Sequence, residues 1–338
     1  MNRTAEKFVV VWVEVGRPVP RYAVKNFRLM RKMFPEVVQY LVTDALDEFE
    51  DVIKIPTSSL NHSSVTSKFL KIKKSWPSRQ EYFWQGTTSR FFYLFEAMKS
   101  HGLINVLHLE TDSLLLDESA IQSLIDDERV DLAYPLQADK VGCASILYVR
   151  GTTILEEFLL FILKRWKEQK VDDMILLGEF SNNSKVRVLS TWIEGLGPSE
   201  KFIFDAQSIG KFYLGTDARN CRWPFSRRCI GDERKGSITN FFNDDKYDWD
   251  THVLKRTPSI TIQDNSRRAS VANIHIHSKR ISSSFTIMKM RFYIGFGPRA
   301  PFMWKAGAFD YSVFRERFAS FVARRVLKRE RFEERIMR

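Results

Sequence analysis

Residues 8–13 read Phe8-Val9-Val10-Val11-Trp12-Val13, and residues 104–112 read Ile104-Asn105-Val106-Leu107-His108-Leu109-Glu110-Thr111-Asp112. The first is an unbroken apolar run, the pattern of a strand buried on both faces of a sheet. After it, Gly16-Arg17-Pro18-Val19-Pro20 turns the chain. From Arg21 to Phe34, the side chains of Val24, Phe27, Met30 and Phe34 fall on one helical face, and Pro35 ends the helix. Val37 to Val42 then reads as a second strand, closed by Asp44. Strand, helix and strand in this order predict a right-handed crossover and a mainly parallel sheet whose strand C-terminal ends line a ligand crevice. Residues 104–109 add another buried strand, and this one ends in two acids.

Outward from these stretches the pattern is uneven. Residues 56–80 are rich in Ser, Thr and Lys and read as a surface loop. In Arg90 to Lys99 the positions Phe91, Leu94, Phe95 and Met98 follow helical spacing, and Gly102 supplies the stop. Cys143 to Val149 reads as a strand, Ile154 to Gln169 as a long helix, Val186 to Ser190 as a short strand, and Phe204 to Tyr213 as a short helix. Residues 217–268 read as loop-dominated, Val271 to His277 alternates, and Phe314 to Arg338 is helical and basic, nine Arg/Lys against four Glu.

The 338 residues carry 53 Lys+Arg against 41 Asp+Glu, a net charge of +12, and 44% are hydrophobic, which excludes a disordered or low-complexity chain. Only three cysteines are present, Cys143, Cys221 and Cys229, so neither a disulfide framework nor a cysteine-based metal site is indicated. The apolar runs Phe8 to Val13 and Phe158 to Leu163 each stop at a charge, far short of the roughly 20 residues of a membrane span. The chain therefore reads as cytoplasmic. Its basic balance fits an acidic partner: a nucleic acid, an anionic membrane or a nucleotide diphosphate.

Two stretches carry chemistry. Side chains two apart on an extended backbone point the same way, so Glu110 and Asp112 can converge on one divalent cation through hard oxygen ligands. In Asn273-Ile274-His275-Ile276-His277-Ser278-Lys279 the same period puts Ile274 and Ile276 on one face and Asn273, His275, His277 and Lys279 on the other. An imidazole there suits a first-row metal, and a lysine neutralises phosphate charge. The plainer alternatives are solvated acids at a strand end and a polar strand face in water.

Arg90 on a helix, followed by a buried strand ending in Glu110-Thr111-Asp112, resembles the nucleotide-diphospho-sugar glycosyltransferases of the GT-A fold, whose acid-x-Asp triplet is the DxD motif. The block from Phe204 through Asp205 and Gly210 to Asn220, and the block Ile274 to Lys279, look like ordered blocks of a GT-A-like group in bacteria and large DNA viruses. The resemblance covers most of residues 8–280. It departs at Glu110, where Asp is usual, and at Ala218, where Pro is usual.

The resemblance implies an α/β fold of GT-A type, Rossmann-like, with a mainly parallel central sheet, flanking helices and a basic C-terminal helix. Residues 1–290 would form the catalytic domain, with a nucleotide-sugar half to about 135 and an acceptor and metal-completing half from about 136. Residues 291–338 would form the extension. The implied activity is metal-dependent transfer of a hexosyl or related sugar from a nucleotide-diphosphate donor to a glycan, lipid-linked or protein acceptor. Asp112 would bind Mn²⁺ or Mg²⁺, and Glu110 the metal or the donor ribose. His277 would complete the metal shell, with His275 the competing choice. Lys279 would contact the diphosphate, Arg90 a phosphate or sugar hydroxyls, and Asp44 the nucleoside.

Asp172, Asp173 or Asp205 would supply the carboxylate across the sugar from the leaving group, each with helix capping as its other reading. The basic C-terminal helix, near Phe314, Phe318, Phe321 and Val322, would touch anionic lipid. Two rival classes remain. A basic nucleic-acid-binding protein lacks any recognition motif here, and residues 315–338 supply 5 of the 12 net charges. A metal-dependent phosphoryl-transfer enzyme could use Glu110, Asp112 and His277 but lacks a phosphate-cradling glycine loop, since Gly16 stands alone.

Overall fold

The computed structural model describes residues 7–73, 79–169, 171–210, 248–252, 259–263 and 267–276. In chain order the elements are β1 (Val9–Glu14), α1 (Arg21–Met33), β2 (Gln39–Thr43), β3 (Ile53–Pro56), α2 (Ser64–Lys73), α3 (Arg79–His101), β4 (Val106–Leu109), β5 (Ser113–Leu115), α4 (Ser119–Asp126), β6 (Leu132–Ala138), β7 (Val141–Gly142), β8 (Ile146–Val149), α5 (Thr152–Glu168), α6 (Asp173–Phe180), β9 (Val186–Leu189), β10 (Phe202–Ile203), β11 (Asp248–His252), β12 (Ser259–Gln263), β13 (Arg268–Val271) and β14 (Asn273–His275).

The central sheet runs β3-β2-β1-β4-β8-β6-β7, with β9 beside β6. Its first four strands are mutually parallel. β8 is antiparallel to both β4 and β6, while β9 is parallel to β6. The expected α/β architecture, a mainly parallel sheet with helices on its faces, is what the chain adopts. Two smaller sheets accompany it, β10-β13-β12-β11 and β14-β5.

β1 explains why both faces are covered. Val10 and Trp12 pack with Phe27 and Met30 of α1 and with Ile121 and Leu124 of α4. Val11, pointing the opposite way, packs with Phe91 and Phe95 of α3 and with Phe158 and Leu159 of α5. All three strand residues are fully buried, as the unbroken apolar run requires. The polar edge of Trp12 is satisfied: its indole N–H donates to Gln39 Oε1 at 3.2 Å, and Gln39 Nε2 donates onward to the Phe27 carbonyl.

Three expectations change. Within residues 56–80, expected as a surface loop, lie α2 and the start of α3. Ser64, Lys68 and Lys71 of α2 are exposed, while Val65, Thr66 and Phe69 are buried, and Phe69 stacks on Phe92 with ring centroids 4.0 Å apart. Its first turn is closed by the Ser63 hydroxyl, which Thr66 N–H approaches at 3.4 Å, and Ser63 is itself held by Glu96 Oε1 at 2.8 Å from its N–H. Within 217–268, β11 and β12 pair antiparallel and β12 pairs β13. The strand expected from Cys143 begins at Ile146. The basic C-terminal helix and the boundary at residue 290 lie outside the described residues. Among those described, no helix is long and apolar enough to cross a membrane.

α6 packs on β7 so closely that a Cβ at Gly178 would fall on the Lys140 carbonyl, backbone against backbone. Gly178→Ala should therefore cost about 1–3 kcal/mol by overpacking, seen as a fall of several degrees in melting temperature. Gly151→Ala is the control, because nothing lies within 4 Å of its Cβ position, and it should move the melting temperature by far less.

Candidate active site

β4 is buried at every residue and delivers Glu110-Thr111-Asp112 as a turn, closed by Ser113 N–H donating to the Glu110 carbonyl at 2.7 Å. The chain returns as β5, whose partner is β14: His275 lies opposite Ser113, and Ile276 N–H donates to the Asp112 carbonyl at 2.7 Å. This pairing carries a distant histidine to the two acids. His275 Nε2 sits 3.2 Å from Glu110 Oε2 and 3.4 Å from Asp112 Oδ2. One ligand atom from each of the three lies within 4.8 Å of the others.

The turn is held from below. Asn26 of α1 is fully buried, and its Nδ2 donates to the carbonyls of Thr111 at 3.1 Å and Ser113 at 2.7 Å. Glu14, ending β1 and 4% exposed, accepts from the Thr111 hydroxyl at 3.3 Å and pairs with Arg17. Beside the turn, Arg90 of α3 bridges two carboxylates, donating from Nη1 to Glu110 and from Nη2 to Asp173. Asp173 also accepts from the Thr87 hydroxyl at 3.1 Å.

The charges set one another. Burial works against ionisation of Glu110, but Arg90 and His275 outweigh it and hold its carboxyl well below the ordinary range. Burial likewise opposes charge on His275, but the carboxylates of Asp112 and Glu110 hold its imidazole well above its usual pKa. Both shifts express one fact: the two acids favour positive charge at Nε2. In Asp173 burial wins and raises the carboxyl, with Arg90 opposing. His108 is neutral: burial, aided by Arg90, pushes it down to about 4, and its Nδ1 hydrogen-bonds the Val11 carbonyl at 2.9 Å.

The structure brings Arg90, Glu110, Asp112, Asp173 and His275 together. Of the two histidines weighed from sequence, His275 faces the acids; His277 and Lys279 lie outside the described residues. Asn273, Ile274 and His275 are all buried, so the polar side of β14 does not face water, which was the plainer alternative. Asp172 and Asp205 keep their carboxylates on backbone donors. Asp172 caps α6, accepting from Ile175 N–H at 2.9 Å. Asp205 accepts from Ile209, Gly210 and His275 N–H at 3.0, 2.7 and 2.9 Å. Asp44 is exposed at the end of β2 and receives the Gly16 N–H, whose φ of +81° makes glycine the suitable residue.

Sequence reasoning passed over Glu14, Asn26 and Thr87. Glu14 carried a signal, since it ends an apolar strand as Glu110 does. Asn26 interrupts an otherwise apolar helix face between Ala23 and Met30, where a polar residue implies buried partners.

No family model matches the chain. No curated protein matches it. Solved structures resemble it at low identity. The galactosyltransferase LgtC, in complex with donor and acceptor sugar analogues, is 14% identical over 68% of this chain and 83% of that one, with a TM-score of 0.37. Mouse xyloside xylosyltransferase 1, in its apo form, is 9% identical over 55% and 86%, also at 0.37. A glycosyltransferase involved in glycosylation of the major capsid of PBCV-1 is 10% identical over 58% and 84%, at 0.30. Likenesses this shallow leave the reading of the site to its own geometry.

Asn26→Ala would leave the two turn carbonyls without their donor. At about 1–3 kcal/mol for each buried group left unpaired, urea unfolding should show a loss of roughly 2–4 kcal/mol. A loss under about 0.5 kcal/mol would mean that the turn is held by other contacts.

Proposed function

We propose that the chain is a metal-dependent glycosyltransferase that moves a hexosyl or related sugar from a nucleotide-diphosphate donor to a glycan, lipid-linked or protein acceptor. The observation that carries this reading is the convergence of Glu110, Asp112 and His275 on one point at the C-terminal end of β4, with Arg90 alongside. Two hard oxygen donors and one imidazole nitrogen suit Mn²⁺ or Mg²⁺, and the His275 ring already turns Nε2 toward the acids by bonding Ala206 through Nδ1. Bound there, the ion would act as a Lewis acid toward the charge that builds on the leaving nucleotide diphosphate.

The protein's own groups divide the remaining work. Asp112 and His275 serve as ligands. Glu110 is shared between that point and Arg90, whose fixed positive charge faces the donor's phosphate or sugar. Asp173 anchors Arg90 through Nη2, so its place in the reaction is to orient the guanidinium. Asp44 stands at the end of β2, along the same sheet edge as Glu14 and Glu110, and contacts the nucleoside. Lys279 approaches the diphosphate. The catalytic domain extends to about residue 290 and is followed by the basic extension.

A panel of UDP-, GDP-, dTDP- and CMP-sugars, each with Mn²⁺ and with EDTA, tests the reading by thermal shift, because a ligand that binds only the folded state raises its stability. One nucleotide class should raise the melting temperature, and only with the ion present. Asp112→Asn should abolish that shift and lower sugar transfer by on the order of 10²-fold or more. A shift with oligonucleotides alone, falling steeply with salt, would replace this reading with nucleic-acid binding.

A further inference from the structure

Asp205 is 1% exposed, a depth at which a carboxylate is costly unless donors meet it. Three backbone amides do. Oδ1 accepts from Ile209 N–H, and Oδ2 accepts from Gly210 N–H and from His275 N–H. The same residue ties its backbone to β14: Asp205 N–H donates to Asn273 Oδ1 and Asn273 Nδ2 donates back to the Asp205 carbonyl, both at 3.1 Å. The Ser145 hydroxyl, next to the β8 strand, also donates to that carbonyl at 3.1 Å.

The next residue addresses the imidazole itself. His275 Nδ1 bonds the Ala206 carbonyl at 2.7 Å, and Cys143 Sγ reaches the same oxygen at 3.0 Å. A carbonyl only accepts, so Nδ1 must carry a proton and Nε2 is the nitrogen turned toward Glu110 and Asp112. Opposite, Gly210 comes so near the His275 carbonyl that a Cβ there would overlap it. The backbone N–H and the ring of His275 are thus each held by residues 205–210, and its carbonyl packs against Gly210.

We infer that Asp205 is the positioning residue for His275: it pins the 205–210 segment to β14 and so fixes the tautomer and aim of the imidazole toward Glu110 and Asp112. The inference rests on the reading of those three residues as a metal site. It assigns Asp205 no contact with substrate, and it gives the two sequence blocks at Phe204–Gly210 and Asn273–His275 one shared task. Partners that orient a histidine ligand typically change metal affinity about 10–100-fold when removed.

The test measures Mn²⁺ binding to the full chain by electron paramagnetic resonance of the free ion, apart from turnover, with melting temperature recorded alongside. Asp205→Asn keeps the size but replaces one acceptor oxygen with a donor. It should weaken Mn²⁺ binding about 10–100-fold. His275→Gln should weaken it as well, and Asp205→Asn added to His275→Gln should cause little further loss, because the positioned group is gone. Equal additional loss in that background overturns the inference, as does unchanged Mn²⁺ binding in Asp205→Asn with a lowered melting temperature, which marks a purely structural aspartate.

The failures are distinguishable. If neither Asp112→Asn nor His275→Gln alters Mn²⁺ binding, the metal site itself is wrong and the inference falls with it. If those two weaken binding and Asp205→Asn does not, only the inference falls. Should Asp205→Asn not fold, long-range proton–nitrogen spectra of the wild-type His275 ring with Mg²⁺ decide. A proton on Nδ1 alone supports the inference, and one on Nε2 with the ion bound overturns it.

Discussion

The pairing of β5 with β14 is the contact on which the site depends. Each strand has three residues, and a two-stranded ribbon of that length is marginal by itself. What holds it is burial. Leu114, Leu115, Ile274 and Ile276 all enter the core shared with α1 and α4, so the ribbon is stapled to the main sheet by apolar contact while its turn carries the acids. The loop-closure entropy of joining positions so far apart grows only slowly with separation, and the burial of four aliphatic side chains is of the size needed to offset it.

Around that ribbon the site concentrates charge. Glu14, Glu110, Asp112 and Asp173 are drawn together with Arg17, Arg90 and His275, most of them buried. Such pairs contribute little net stability, since desolvation cancels much of the attraction, but removal of one member leaves a buried charge without its counterpart. Arg90 shows the asymmetry. Its two carboxylate partners respond in opposite directions: burial, with the Glu110 charge adding to it, pushes Asp173 up against Arg90, whereas at Glu110 Arg90 and His275 together outweigh burial. The guanidinium holds both by one nitrogen each, and Glu110 is the one kept in its charged form.

Much of the fold was legible because burial imprints a period. β1, β2, β4 and α5 are apolar on every turn or on both faces, and their runs appear directly in the sequence. α2 was not legible: Val65 and Phe69 are too few to outweigh the Ser, Thr and Lys around them, and the decisive partner, Phe92, lies on another helix. β11 was hidden by the Asp, Thr and His of its run from Asp248 to His252, and the alternation of β12 from Ser259 to Gln263 spans only five residues. At the site, an apolar strand ending in two acids was visible as a pair. That His275 would meet them was not, since residues two apart share a face and it is the register of β14 against β5 that sets His275 opposite Ser113.

The three aspartates once equivalent as catalytic candidates show what sequence leaves open. Each precedes or begins a helical turn, and each could have been an acid, a base or a cap. Their surroundings separate them. Asp172 meets one amide at a partly exposed helix start; Asp173, one residue on, faces inward to a guanidinium and a hydroxyl; Asp205 meets three amides in the core. The amides on Asp205 favour its charged form, each charge-assisted bond being worth about 1.5–3 kcal/mol, yet burial outweighs them and raises its carboxyl. Glu110 and Asp112 instead face an ionisable partner, the His275 imidazole, while Asp205 belongs to the backbone frame that holds β14 beside them.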